Sequence, residues 1–135
     1  MDPHLFCKPI LKSAADRAAL REAAFSGSDK FFFGSDSAPH PRKAKEGARI
    51  PGGIYSAPTA ICALAELFES AERLDAFSAF VGGNGARFYG LSEPSSALIL
   101  ERRSWTVPEE IDGIVPMMAG RRLSWSIVEP SQREG

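Results

Sequence analysis

The residues of this chain best suited to chemistry are an acid and a histidine that follow a short aromatic run. Asp36 and His40 lie in the segment Gly34–His40, directly after Phe31–Phe33. A β-strand that ends in a carboxylate and an imidazole delivers both groups to one place, and these groups can bind a metal, move a proton or hold an anionic substrate. The segment therefore predicts a site at the end of this strand.

Histidine and cysteine, the most frequent zinc ligands, are scarce in this chain. His4 and His40 are the only histidines, and Cys7 and Cys62 are the only cysteines. A zinc site usually takes three or four protein ligands, and the sequence contains no CxxC, HxH or HExxH spacing. We therefore predict that this chain alone does not assemble a catalytic zinc site. His4 is predicted to be structural, and the two cysteines are predicted to be core thiols rather than a disulfide.

Size and composition exclude several classes of protein. The chain has 135 residues, of which 44% are hydrophobic, and its formal net charge is −1. This balance is typical of one globular domain and gives no overall field that favours nucleic acid or an acidic membrane. No apolar run approaches the roughly 20 residues needed to cross a bilayer, and the first residues lack the features of a signal peptide. We therefore predict a cytoplasmic location.

The elements that would position the site follow from the first 36 residues. Their pattern predicts a strand, a helix and a second strand: His4–Cys7, Ala14–Phe25 and Phe31–Phe33. Ser13 and Asp16 form a capping pair at the start of the helix, and Gly27 suits its end. A strand, helix and strand in this order form a parallel crossover, and ligands bind at the carboxyl ends of such strands.

The remainder of the chain is predicted to hold a long loop, helices and two late strands. Residues 37–57 form the loop, and its charges are either solvated or steer an anionic substrate: Arg42, Lys43, Lys45 and Arg49. A helix begins at Thr59 and has an apolar face: Ile61, Leu64, Ala65 and Phe68. A second helix covers Ala76–Val81 and is broken by Gly82–Gly83, and Asn84 caps a turn that ends at Gly90. The late strands are Ala97–Glu101 and Arg122–Val128, and Trp105 and Trp125 are predicted to pack or to lie on a dimer surface.

Five segments of the chain, in order, resemble one enzyme family. They are Pro3–Lys12, Gly34–His40, Gly53–Pro58, Asn84–Leu91 and Met118–Ser126. Together they closely resemble the C-terminal third of the single-function bacterial dihydroorotases. The likeness extends over nearly the whole chain, to about Glu129. Departures are small: Gly47–Gly52 replaces a stretch in which the family often has cysteines and an alanine, and Ser35 replaces a frequent threonine.

The resemblance implies an α/β fold, the C-terminal fragment of a (β/α)₈ TIM barrel. Residues 1–92 would hold the last two barrel strands with their helices, and residues 93–135 would form a small extension with short β-strands. The family has a binuclear zinc centre and interconverts dihydroorotate and carbamoyl-aspartate in pyrimidine biosynthesis. Its dimers suggest a homodimer for the full-length form. The other metal ligands, including an HxH pair and a carbamylated lysine, would lie before residue 1, so the isolated chain is expected to be inactive.

The resemblance also implies roles for four residues. Asp36 matches a metal-bound aspartate that takes a proton from the bridging hydroxide and gives it to the leaving nitrogen. His40 matches the residue that binds the substrate carboxylate, and the main chain at Lys8 and Gly52 falls where the family's backbone touches the dihydroorotate ring. One alternative is a non-catalytic module that pairs with a separate N-terminal chain or with itself. A relative of hydantoinase or allantoinase fits the segments less well.

Overall fold

The structure is a computed structural model that describes residues 2–10, 13–92 and 97–128. Within these ranges, five short α-helices precede four short strands. The helices are α1 (Ala14–Phe25), α2 (Arg42–Lys45), α3 (Ala60–Ser70), α4 (Leu74–Ser78) and α5 (Asn84–Phe88). The strands are β1 (Ile99–Glu101), β2 (Trp105–Thr106), β3 (Arg122–Leu123) and β4 (Ser126–Val128).

The strands form two small antiparallel sheets. β1 pairs with β4, with Ile99 opposite Val128, and β2 pairs with β3, with Trp105 opposite Leu123. The two late strands predicted from the sequence are therefore confirmed in type, but the second is divided into β3 and β4. Trp105 and Trp125 pack against the small core around Cys62, Val107 and Leu123.

Neither of the two early strands is present in the described part of the chain. Pro3–Leu5 is a 3-10 turn, and the Asp2 side chain accepts the N–H of His4 at 2.9 Å. An N-cap aspartate followed by proline favours this turn, because proline fixes φ and the carboxylate satisfies a free N–H. Phe31–Phe33 joins no sheet, and the N–H of Phe33 bonds instead to the carbonyl of Phe80 at 2.9 Å. The parallel crossover predicted from residues 1–36 is thus not observed as a hydrogen-bonded pair.

Local signals predicted α1 and α3 well. α1 has the bounds predicted for it, with the Ser13 and Asp16 capping box formed, and Gly27 follows it at a φ of 74°. Of the apolar face predicted for α3, Ala65 and Phe68 are buried, whereas Ile61 and Leu64 are only half-buried, and the helix also buries Ala60 and Cys62. In both helices the start, the end and the apolar face depend on residues within a few positions of one another.

The predicted break at Gly82–Gly83 is wrong. Ala79–Gly83 forms a π-helical turn that joins α4 to α5. Asn84 is therefore inside a continuous helical run and does not cap it. Its buried side-chain amide donates to the carbonyls of Ser28 and Phe31 at 3.1 and 2.9 Å. Gly90 does end the run, at a φ of 63°.

Two further sequence predictions concern cysteines and membranes. Cys7 and Cys62 are both free thiols, as predicted, but only Cys62 lies in the core, whereas Cys7 is half-buried and lines a cavity. Burial raises the pKa of the Cys62 thiol. Among the helices of the described residues, none combines the length and the apolarity that crossing a bilayer requires.

Acid should weaken the start of α1. The hydroxyl and then the backbone N–H of Ser13 hydrogen-bond to the Asp16 carboxylate and lower its pKa below 3.8. A lowered folded-state pKa gives stability that is present above the unfolded pKa and is lost as pH falls through the folded value. We expect far-UV circular dichroism to report less helix as pH falls below 3.8. An Asp16→Asn variant should lose this part of the acid response, and equal acid responses in the two proteins would contradict the assignment.

Candidate functional site

A cavity of about 650 Å³ lies where two loops, α3 and a methionine pair meet. The lining is mostly apolar, with α3 and the methionine pair Met117–Met118 contributing to it. Ser35, Asp36 and Ser56 add polar side chains. The lining residues are Cys7, Lys8, Pro9, Phe33, Ser35, Asp36, Ala38, Gly52, Gly53, Ile54, Ser56, Ala60, Ala63, Leu64, Leu67, Met117 and Met118.

Asp36 is the one carboxylate among the described residues that line this cavity. Its φ is 42°, in the left-handed region that aspartate and asparagine tolerate better than most residues. The flanking loop is fixed by its neighbours: the Ser56 hydroxyl donates to the carbonyl of Ser35 at 3.1 Å, and the N–H of Ala38 donates to the carbonyl of Ile54 at 3.0 Å. These two hydrogen bonds therefore fix the loop that holds the Asp36 carboxylate at the cavity.

His40 does not line the cavity but contacts a residue that does. Its Nε2 donates to the carbonyl of Gly52 at 3.2 Å. A carbonyl can only accept, so this contact requires the tautomer with the proton on Nε2. The histidine thus joins the loop that carries Asp36 to the segment that contains Gly52.

Lys8 and Gly52 lie side by side in the cavity lining, and we call the two segments that contain them, residues 6–8 and 51–53, the rim of the cavity. A Cβ at Gly52 would lie 3.4 Å from Cγ and 3.6 Å from the backbone nitrogen of Lys8. The N–H of Gly53 donates to the carbonyl of Phe6 at 3.0 Å and ties the same two segments together. The structure therefore brings together all four site residues predicted from the sequence: three line the cavity, and His40 contacts one of them.

Sequence reasoning missed Lys45. The sequence predicts a solvated or steering charge at this position, but Lys45 is 3% exposed, and its Nζ donates to three carbonyls: those of Phe6 at 3.0 Å, Pro51 at 3.0 Å and Gly53 at 2.7 Å. Burial lowers the pKa of its ammonium group. The acceptors are main-chain atoms, which carry no signature of their own in a sequence.

The other basic residues of the loop behave differently from Lys45. Arg42 bonds to Glu110 at 2.6 Å and to Glu46 at 3.2 Å, and the hydrogen bond to Glu110 raises its pKa. His4 contacts the same Glu46 oxygen at 3.1 Å, away from the cavity, in keeping with a structural role. Lys43 and Arg49 are exposed, and their predicted alternatives, solvated charge or steering, both stay predictions.

Gly53 cannot carry a side chain without strain. Its φ is 151°, and a Cβ would lie 2.5 Å from the carbonyl oxygen of Ala38 and 3.0 Å from Cδ2 of His40. We expect Gly53→Ala to lower the free energy of unfolding by about 1–3 kcal/mol, as overpacking does. Urea denaturation of the 135-residue chain measures this, with Gly52→Ala as the matched control, because a Cβ there meets only ordinary contacts. Equal losses in the two variants would contradict the close approach at Gly53.

The residues present do not by themselves fit a zinc centre. Within residues 2–10, 13–92 and 97–128, no three side chains of His, Cys, Asp or Glu are grouped so that they could hold a metal ion. Asp36 supplies one carboxylate, and His40 uses its Nε2 on a carbonyl. The prediction that this chain alone does not assemble the site rests on the same shortage of ligands.

Known proteins similar to this chain are dihydroorotases, although no protein-family model matches it. It is 46% identical over 134 residues to the dihydroorotase of Halorhodospira halophila and 47% identical over 129 residues to that of Serratia proteamaculans. These matches cover 96% and 93% of this chain but only 39% and 37% of those relatives. The chain therefore spans about two fifths of their length.

Two solved structures give the same result. The dihydroorotase of Saccharomyces cerevisiae in complex with 5-fluoroorotic acid superposes with a TM-score of 0.89 at 39% identity, over 94% of this chain and 38% of that one. The dihydroorotase of Campylobacter jejuni superposes with a TM-score of 0.83 at 41% identity, over 96% and 39%. The mixed helices and small sheets described above are thus those of a fragment of an amidohydrolase barrel. More particularly, the chain matches the C-terminal portion of dihydroorotases.

Proposed function

We propose that this chain is the C-terminal portion of a dihydroorotase and supplies one side of its substrate site. The enzyme would catalyse the reversible hydrolysis of the cyclic amide of dihydroorotate to carbamoyl-aspartate. The observation that carries this proposal is the placement of Lys8, Asp36 and Gly52 on one cavity, with His40 bonded to its rim, in a chain 46–47% identical to dihydroorotases.

The chemistry of each group supports the role proposed for it. Ring opening adds water across a C–N bond, so one proton must move from the attacking oxygen to the leaving nitrogen. A carboxylate such as Asp36 can accept that proton and return it. Nε2 of His40 is used on the Gly52 carbonyl, so His40 would hold a substrate carboxylate through Nδ1 as the doubly protonated imidazolium. The main chain at Lys8 and Gly52 offers fixed donors and acceptors to a planar ring.

Zinc belongs to the proposal for the whole enzyme, where it would polarise the amide carbonyl. Because the described residues bring together no set of three ligands, the remaining ligands would have to come from other parts of the protein. We propose on this ground that the isolated chain does not hydrolyse dihydroorotate. Residues 1–92 would belong to the barrel, and residues 93–135 would form the extension that contains β1–β4.

A hybrid protein tests the proposal. The 135 residues replace the matching C-terminal portion of the Serratia proteamaculans dihydroorotase, and ring opening of dihydroorotate is followed by absorbance, with the unaltered Serratia enzyme and the isolated chain as controls. We expect an active hybrid and an inactive isolated chain. A hybrid that is monodisperse and retains zinc yet is inactive would contradict the proposal.

The alternative function is a non-catalytic module that pairs with a separate N-terminal chain or with a second copy. The observation in its favour is exposed apolar surface: the side chains of Leu20, Phe88 and Tyr89 are 68%, 71% and 66% exposed, and α1 buries no residue in the described structure. Coexpression with the N-terminal portion of the Serratia enzyme, followed by size exclusion with light scattering, tests it. The chain expressed alone is measured beside the coexpressed sample. Coelution in a defined complex, or a defined self-associated species of the chain alone, supports the module, and elution as an unassociated monomer in both samples overturns it.

A further inference from the structure

Lys45 is buried in α2 and uses all of its hydrogen-bonding capacity on the main chain. An ammonium group has three donors, and Lys45 directs them at the carbonyls of Phe6, Pro51 and Gly53 at 3.0, 3.0 and 2.7 Å. The ion pairs found in the described part of the chain do not include Lys45. Its charge is therefore balanced by carbonyl dipoles, and charge-assisted hydrogen bonds of this kind are stronger than neutral ones.

The three carbonyls belong to the two backbone segments that form the rim of the cavity. Phe6 stands two positions before Lys8, and Pro51 and Gly53 stand on either side of Gly52. One side chain thus joins the two backbone segments that the cavity presents to a ligand. The hydrogen bond from the N–H of Gly53 to the carbonyl of Phe6, at 3.0 Å, closes the same junction directly.

Lys45 does not itself line the cavity, and its three donors are already used on main-chain carbonyls, so it has none left for a ligand. We propose that Lys45 is a positioning residue, which fixes the separation of the Lys8 and Gly52 backbones and thereby sets the affinity of the cavity for its substrate. The substrate assignment rests on the proposed dihydroorotase function, whereas the fixing of the rim does not.

The consequence for the enzyme is a change in binding rather than in chemistry. Backbone contacts that hold a substrate ring equally in the ground state and in the transition state contribute uniform binding, so their loss raises KM and leaves kcat little changed. A purely structural role would lower the fraction of folded enzyme, which lowers the apparent kcat and leaves KM alone. The two roles are therefore separable by steady-state kinetics.

The test compares Lys45→Met with Lys43→Met, an exposed lysine of the same helix, and uses Lys45→Gln as a second variant that keeps donors. In the hybrid dihydroorotase we expect Lys45→Met to raise KM for dihydroorotate by about 10- to 100-fold, with kcat within about threefold and Lys45→Gln intermediate. An unchanged KM, or a lower kcat alone, overturns the positioning role.

Amide hydrogen exchange on the 135-residue chain tests the rim separately. Lys45→Met should speed exchange at Gly53 at least about tenfold relative to Lys43→Met, because the acceptor segment is released. Equal exchange in the two variants overturns the proposal whether or not the hybrid is active. If Lys45→Met speeds exchange but the unsubstituted hybrid is inactive, the result contradicts the proposed dihydroorotase function. It still supports the proposal that Lys45 fixes the two segments of the rim.

Discussion

Replacing Asp36 by asparagine in the hybrid dihydroorotase is expected to lower kcat for dihydroorotate hydrolysis by about 10²- to 10⁴-fold, the range typical for loss of a general acid–base group. The substitution removes the only carboxylate among the described residues that line the cavity. It keeps the shape of the side chain, and asparagine tolerates a φ of 42° as aspartate does. The loss should therefore come from chemistry and not from refolding of the loop.

Asp112→Asn is the matched control for this prediction. Asp112 is exposed, lies in the turn between Ile111 and Ile114, and has a similar φ of 51°. The same change in charge and the same backbone region are thus tested away from the cavity, and activity should stay within about twofold, as for most surface substitutions. If Asp36→Asn retained activity like Asp112→Asn, Asp36 would have no part in the reaction.

The stability of both aspartate variants should match that of the unsubstituted chain. Asp36 is exposed, and asparagine preserves the conformation of its loop, which is held by the bond from Ser56 to Ser35 and not by the carboxylate. An unchanged urea midpoint together with a large loss of kcat would separate a catalytic role from a structural one. Asp36→Ala is a poorer test, because the left-handed backbone costs about 1–2 kcal/mol in most residues that carry a Cβ.

The sequence predicts those parts of the molecule whose causes are local. The capping box at Ser13 and Asp16 predicts α1, and the spacing of apolar residues after Thr59 predicts α3. Asp36 and His40 are singled out because they follow an apolar run and, above all, because the surrounding segment resembles one family. Their proposed roles stay predictions, since geometry places these groups without measuring what they do.

What the sequence does not predict depends on distant partners. Lys45 looks like one charge in a solvated run, and only the positions of three carbonyls in two other segments reveal its function in the fold. The aromatic run Phe31–Phe33 has the composition of a strand, yet Phe33 bonds to Phe80 in a helical segment. Gly82–Gly83 predicts a break, but a π-helical turn carries the chain through it. In each case tertiary context overrides a local preference.

The largest loss of stability is expected from Phe68→Ala. Phe68 is completely buried in α3, and its ring lies 4.9, 5.5 and 5.3 Å from those of Phe25, Phe77 and Phe80. Truncation of a buried phenylalanine costs about 3–5 kcal/mol through lost burial and the cavity that remains. Small domains have only about 5–15 kcal/mol in total, so the variant should show a much lower urea midpoint or no folded baseline.

Phe88→Ala is the control for that prediction, and Phe68→Leu keeps it testable if the alanine variant does not fold. Phe88 is 71% exposed, and its ring lies 5.2 and 5.0 Å from the rings of Phe32 and Tyr89, so its loss should cost under about 1 kcal/mol. Leucine at position 68 fills most of the space and should fall between the two variants. Unfolding followed by the fluorescence of Trp105 and Trp125 reports the same transition, because both pack on the core next to α3. If Phe68→Leu and Phe88→Ala lowered stability equally, the aromatic group around Phe68 would not be what joins α1, α3 and α4.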